Sequence, residues 1–219
     1  MKTLYFLIFM TAGFFISKSV DAQNYLFYLH GRIVEIQGEN AVDTQNGYGS
    51  YEYNKIINTF KKNGFRVISE VRPANTRVIP YAKKVVHQID SLISLGVPAR
   101  KITVVGASKG SLIAMITSSL LKNRNINFVF LAACNSYSFK RYPKLKFYGN
   151  ILSIYEKSDR IGRSCNSFKA RSMTTINHYK EIALNTGKKH GFLFKPLPQW
   201  IYPAIQWGKQ NYNFVIKNN

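Results

Sequence analysis

From Tyr25 onward, short apolar runs alternate with segments whose apolar residues recur at helical spacing. Tyr25–Leu29 is a continuous apolar run ending in His30-Gly31, the pattern of a strand covered on both faces. Tyr53, Ile56, Ile57 and Phe60 recur at helical spacing, and Gly64 follows where a helix C-terminus favours glycine. Phe65–Val71 reads as a strand. Tyr81, Val85, Val86, Ile89, Leu92 and Ile93 mark a second amphipathic helix, ended by Gly96 and Pro98. Ile102–Val105 is a strand, and Lys109–Lys122 a helix apolar on nearly every side, as a buried helix is. Strands follow at Phe128–Ala133, Ile151–Tyr155 and His178–Leu184. A closing helix runs through Trp200, Ile201, Ala204, Ile205 and Trp207, with a bend expected at Pro203. This alternation predicts an α/β protein: a mostly parallel sheet of about six strands with helices on both faces. In such sheets, sites gather at the carboxyl ends of the strands.

The N-terminus breaks the alternation. Met1-Lys2-Thr3 precedes the apolar run Leu4–Ile16, and Ser17–Ala22 ends in the small residue Ala22, with Val20 two before it. A positive end, an apolar core and a small residue at the cleavage position match an export signal, residues 1–22. The run is too short for a comfortable membrane span; an uncleaved anchor is the alternative. Cleavage after Ala22 leaves residues 23–219 as one domain, placed in the periplasm or secreted. No repeat, charge run or linker-like stretch divides it.

The formal charge of +21 raises the question of anionic partners. The basic residues are scattered singly and in pairs, without the arginine and aromatic interleaving of a nucleic-acid groove. No specific nucleic-acid role is expected, but loose association with anionic cell-surface polymers or lipids is. No metal-ligand spacing and no phosphate-cradling loop is present, so neither metal nor cofactor is expected.

The chemistry centres on Gly106-Ala-Ser-Lys-Gly110, set between the Ile102–Val105 strand and the apolar helix. A serine at the apex of so sharp a turn has backbone crowding two residues to either side, where Gly106 and Gly110 leave room. Ser108 is thereby held out above the sheet, and the Lys109 N–H, at a helix N-terminus, faces any oxyanion formed there. A serine needs a base, and the base an orienting acid. After Ser108 the carboxylates are Glu156, Asp159 and Glu181, and the histidines His178 and His190. Glu181 and His178 fall inside the last strand. Asp159 and His190 lie in loops at carboxyl ends of strands, on the same rim as Ser108. Glu156 is the alternative to Asp159, and an ordinary surface histidine is the alternative reading of His190. His87 reads as a solvated helix residue, and Glu52, Glu70 and Asp90 as surface groups or partners of the many lysines.

With these residues placed, the chain resembles the α/β-hydrolase superfamily over essentially Tyr25 to Lys209. The resemblance rests on His30-Gly31 after the first strand, Gly106-Ala-Ser-Lys-Gly110, Asp159 after Glu156-Lys-Ser, and His190-Gly191. It implies Ser108 as nucleophile, His190 as base and Asp159 as orienter. It further implies an oxyanion hole from the N–H groups of Lys109 and Arg32, with His30 holding the loop rather than doing chemistry. The chain departs from the family in lacking the usual antiparallel start of the sheet, and Asn135–Asn150 is too short for a large cap. A shallow, open site is therefore expected, suited to small or exposed acyl groups, with Ile33–Ser50 as a mobile flap. Cys134 and Cys165 each lie just past a strand end, and a disulfide between them is expected, the alternative being two free thiols. The implied activity is a serine hydrolase acting on esters or thioesters. A peptidase or acyltransferase using the same site is the close alternative. A non-catalytic protein of this fold that binds anionic surfaces is the distant one.

Overall fold

The computed structural model describes residues 23–215; the expected export signal lies outside the described residues. The chain runs β1 (Asn24–Leu29), α1 (Arg32–Gln37), β2 (Val42–Asp43), β3 (Gly49–Ser50), α2 (Tyr53–Lys62), β4 (Phe65–Ile68), α3 (Val78–Ser94) and β5 (Ile102–Ala107). It continues α4 (Lys109–Leu121), β6 (Asn127–Leu131), α5 (Ser136–Arg141), β7 (Gly149–Glu156), α6 (Asn166–Arg171), β8 (Ile176–Leu184) and α7 (Pro198–Gly208). Six strands form one sheet in the order β4-β1-β5-β6-β7-β8, every pair parallel, while β2 and β3 make a separate small hairpin.

The strands are apolar at successive positions because each face of the sheet has its own core. Leu26 and Tyr28 of β1, Val105 of β5 and Leu152 of β7 face α2 and α7, meeting Phe60, Trp200 and Trp207. Their neighbours Phe27, Leu29, Val104 and Ile151 face the other way, against Val85, Ile89 and Ile113 of α3 and α4. α7 is buried without orphaning its indoles, since Trp200 Nε1 donates to Lys195 O at 2.8 Å and Trp207 Nε1 to Asn150 O at 3.0 Å. It runs unbroken through Pro203.

The strand order reverses at β1, which has β4 on one side and β5 on the other. The carboxyl ends of β1 and β5 therefore flank the crevice where sheets of this kind bind ligands. Two segments differ from the sequence expectation. β4 stops at Ile68 instead of reaching Val71. Beyond it Ser69 Oγ, not a ladder amide, donates to Tyr28 O at 2.7 Å, and the chain turns Arg72 inward. The Ile33–Ser50 segment is not a plain loop but α1 followed by the hairpin. Asp43 closes that hairpin by accepting from Asn46 N–H, and Tyr48 and Tyr51 seat their rings on Phe194 at 5.3 and 5.0 Å.

Candidate active site

Ser108 is the turn between β5 and α4, with φ 53° and ψ −117°, a left-handed conformation that costs a non-glycine residue about 1–3 kcal/mol. Packing on both sides enforces it. A Cβ on Gly106 would stand 2.5 Å from Gly110 O and from Ser111 Cα, and one on Gly110 would stand 1.9 Å from Leu29 O. The two glycines thus let α4 begin directly against the ends of β1 and β5. The Ser108 N–H donates to Leu131 O at 2.9 Å, and its carbonyl accepts from Ser111 and Leu112, so the backbone is tied to β6 and to α4.

Asp159 and His190 reach the same place from the loops after β7 and β8. His190 Nε2 lies 2.9 Å from Ser108 Oγ, and its Nδ1 lies 2.7 Å from Asp159 Oδ2. With Nδ1–H donating to the carboxylate, Nε2 is left to accept the Ser108 hydroxyl proton. Asp159 also accepts from the N–H groups of Ile161 at 2.8 Å and Gly162 at 3.2 Å. Burial alone would raise its pKa, but the hydrogen bond and charge of His190 and the two backbone donors hold it below the usual carboxylate range.

Glu156, the alternative acid, does not meet His190. It is buried and accepts from Ser158 N–H and Oγ on one oxygen and from Thr186 N–H and Oγ1 on the other. Ser158 Oγ in turn accepts from Lys189 N–H at 3.1 Å. Glu156 thus ties the Asp159 loop to the His190 loop. Burial opposes its charge, and the Thr186 and Ser158 donors overcome that, leaving its pKa lowered. The Cys134–Cys165 disulfide and the Arg163 N–H to Cys134 O bond, 2.7 Å, fasten the far side of the Asp159 loop to the end of β6. His178 lies on exposed β8, stacked on Tyr212, and His87 is exposed on α3.

The His30-Gly31 corner follows β1. A Cβ on Gly31 would lie 3.7 Å from Ser108 Cβ, so the corner lies against the serine. His30 pairs Nδ1 with Gly31 O at 2.8 Å and accepts Arg72 N–H on Nε2 at 3.0 Å. Burial, then the nearby Arg72 charge, lower its pKa to about 4, so the ring is neutral and serves as a brace. Arg32 and Lys109 are the first residues of α1 and α4, where an N–H has no acceptor inside its helix. Beneath them lies a cluster that sequence reasoning missed. Glu35 bonds Lys109 Nζ at 2.5 Å, Arg72 Nε at 3.3 Å and Thr76 N–H at 3.0 Å. Its partners stand 37 to 74 positions away, and no local pattern joins them.

Among the described residues, no group of three or more His, Cys, Asp or Glu side chains is placed to hold a metal ion. Two surface hollows, of about 290 and 310 Å³, are lined by other residues, Phe139, Lys140 and Arg163 in one and Glu39, Tyr51 and Glu52 in the other.

No protein-family model matches the chain, and no curated protein matches it by sequence. Solved structures do. Arabidopsis thaliana SOBER1 aligns at 14% identity and a TM-score of 0.55, covering 86% of this chain and 99% of its own. ATU1826, an Agrobacterium tumefaciens protein of unknown function provisionally assigned to the α/β hydrolases, aligns at 15% and 0.60, covering 90% of this chain and 89% of its own. The Francisella virulence factor BioJ aligns at 10% and 0.57, covering 88% and 78%. The parallel six-stranded sheet, the serine turn at its reversal point and these likenesses identify the architecture: the chain has the α/β-hydrolase fold.

Proposed function

We propose that the protein is a serine hydrolase that cleaves an ester or thioester through an acyl-enzyme. The carrying observation is the series Ser108 Oγ, His190 and Asp159, joined at 2.9 and 2.7 Å. His190 Nε2 takes the hydroxyl proton as Ser108 Oγ attacks the acyl carbon, and Asp159 stabilises the imidazolium. The carbonyl oxygen becomes an oxyanion, received by the N–H groups of Lys109 and Arg32. His190 then returns the proton to the leaving alcohol or thiol. Water repeats the sequence and frees the acid. A neighbour provisionally assigned as a hydrolase supports this reading through the shared fold. Export follows from residues 1–22 and agrees with a disulfide, which persists in oxidising compartments.

Labelling of the mature protein with a fluorophosphonate, mapped by mass spectrometry, tests the reading. Stoichiometric modification at Ser108, absent in Ser108→Ala and strongly slowed in His190→Ala, is the expected result. An inert wild-type protein that is shown to be folded overturns it, and leaves the binding of anionic polymers or lipids by the basic surface as the surviving alternative. Labelling combined with hydrolysis of peptides or transfer of the acyl group to an alcohol acceptor would instead assign the same site to a peptidase or an acyltransferase.

A further inference from the structure

The two N–H groups assigned to the oxyanion belong to different elements, the first turn of α1 and the first turn of α4. A tetrahedral oxyanion rewards donors at 2.7–3.1 Å, so the spacing between these turns sets how well it is held. One cluster of side chains spans that spacing. Glu35, three residues after Arg32 on α1, bonds the side chain of Lys109, the first residue of α4. Arg72 closes the cluster from behind, through Nε to Glu35 and through Nη2 to His30 O at 2.5 Å.

This is an expensive arrangement. The side chains of Glu35 and Arg72 are 1% and 0% exposed, and that of Lys109 is 19% exposed. Desolvating such charges commonly cancels their attraction, and apolar side chains of similar size often pack equally well. Stability alone therefore does not account for the cluster, whereas its position does. Glu35 joins α1 to α4 beside Ser108, and Arg72 joins both to the His30 carbonyl at the corner.

We propose that Glu35 and Lys109 form a positioning clamp, braced by Arg72, that sets the separation of the Arg32 and Lys109 N–H groups and with it the strength of the oxyanion site. The proposal rests on the reading of Ser108 as nucleophile. The clamp acts through the two amides and touches no substrate atom. Lys109 is thus present for its side chain as well as for its N–H, although the turn itself asks only for a small footprint at Gly106 and Gly110.

Lys109→Met removes the bridge, preserves helix propensity at the start of α4 and leaves Glu35 paired with Arg72. The experiment compares this variant with the wild-type chain in fluorophosphonate labelling and in hydrolysis of p-nitrophenyl acetate. A donor displaced by a fraction of an ångström to an ångström predicts a loss of roughly 10–100-fold in kcat and in labelling rate, with KM within about threefold. Lys109→Arg, which keeps the ion pair, restores most of the loss. The double variant Lys109→Met/Glu35→Gln, which also takes the charge from the buried pair with Arg72, loses at least as much as Lys109→Met. If Lys109→Met fails to fold, Glu35→Asp reads the same spacing by shortening the bridge by one methylene, and wild-type kcat there overturns the clamp. A wild-type protein that labels at Ser108, with Lys109→Met labelling equally fast, also overturns the clamp alone. A wild-type protein that does not label overturns the reading of Ser108, and the clamp falls with it.

Discussion

At the Ser108 corner, the ends of β1 and β5 and the first turn of α4 meet with no room for a methyl group, and buried charges lock α1 to α4. At the His190 corner, two loops approach from β7 and β8 and are held by hydrogen bonds to Glu156 and by a disulfide behind Asp159. The difference follows from what each corner has to place. An oxyanion site needs two backbone donors within a few tenths of an ångström, which calls for close-packed backbone and a short bridge between the two helices. An imidazole rotates on its own bonds, so its loop needs only to deliver it within hydrogen-bond reach of Ser108 and Asp159. The tight corner should fail abruptly, and the loop corner by degrees.

The largest expected effect tests the tightness. Gly110→Ala places a Cβ 1.9 Å from Leu29 O, a main-chain atom inside the sheet that has nowhere to go. The variant should fold poorly or lose upwards of about 3 kcal/mol. A wild-type melting temperature for Gly110→Ala would show that the corner yields and would end the contrast. Next in size is Asp159→Asn, which takes away the charge behind the imidazolium and favours the wrong tautomer. A loss in kcat of roughly 10⁴-fold with the fold intact is expected by analogy with other triads. Glu156→Gln marks the softer failure. It weakens four hydrogen bonds that join the two loops, and should lower stability by about 1–3 kcal/mol while lowering kcat about tenfold. If Glu156→Gln harms kcat more than Asp159→Asn does, the acid was misassigned.

The same contrast explains what could be read from the chain. The strands of the central sheet and α4 were legible as continuous apolar runs, and α2, α3 and α7 by an apolar period long enough to show, although β4 ends early at Ile68. Ser108 was legible because backbone crowding writes glycine into the positions on either side. Asp159 and His190 could be chosen because strand ends bring them to one rim, in the chain order Ser, Asp, His that this architecture uses. α1 was hidden, since six residues are too few to display a helical period. The Glu35, Arg72 and Lys109 cluster was hidden for a different reason. Three charged residues scattered through a basic chain look like solvated surface until folding brings them together. The hairpin that seats Tyr48 on the His190 loop was read as a loose flap, because ring packing leaves no local signature.

Two further tests act on one corner each. The Cys134→Ser/Cys165→Ser variant reopens a 31-residue span at the His190 corner and should cost about 2–4 kcal/mol in chemical denaturation. Acid acts first on the other corner. His30 has its pKa lowered to about 4 by burial and by Arg72, whereas an unfolded histidine titrates near 6.5. Between these values the unfolded chain binds a proton that the native chain refuses. The contribution of neutral His30 is therefore complete above pH 6.5 and is lost as pH falls toward 4, by about 3 kcal/mol at the lower end. Asp159 and Glu156, with lowered pKa values, contribute stability that is lost only below the ordinary carboxylate range. Denaturation free energies between pH 6.5 and 4.5 should thus fall more steeply for the wild-type protein than for His30→Gln. Parallel slopes would mean that His30 is not the acid-sensitive brace.

The smallest expected effect concerns what the two corners present to solvent. Arg32, Lys157, Arg160, Lys188 and Lys189 are exposed and adjoin, in the chain, the residues of both corners. The carboxylates that neighbour Arg32, Lys157 and Arg160 in the chain, Glu35, Glu156 and Asp159, are buried and engaged. A positive field at the mouth of the site is the expectation tested next, since such fields raise encounter rates with anions in a salt-dependent way. For a p-nitrophenyl ester with a carboxylate at the far end of its acyl chain, kcat/KM should fall roughly 2–5-fold between low and physiological salt. The neutral ester of equal length should change little. Arg160→Gln and Lys188→Gln, both on the loop corner, should flatten the salt dependence without altering kcat for the neutral ester. Equal salt dependence for the two esters would show that the excess charge serves other surfaces, and that neither corner selects its substrate by sign.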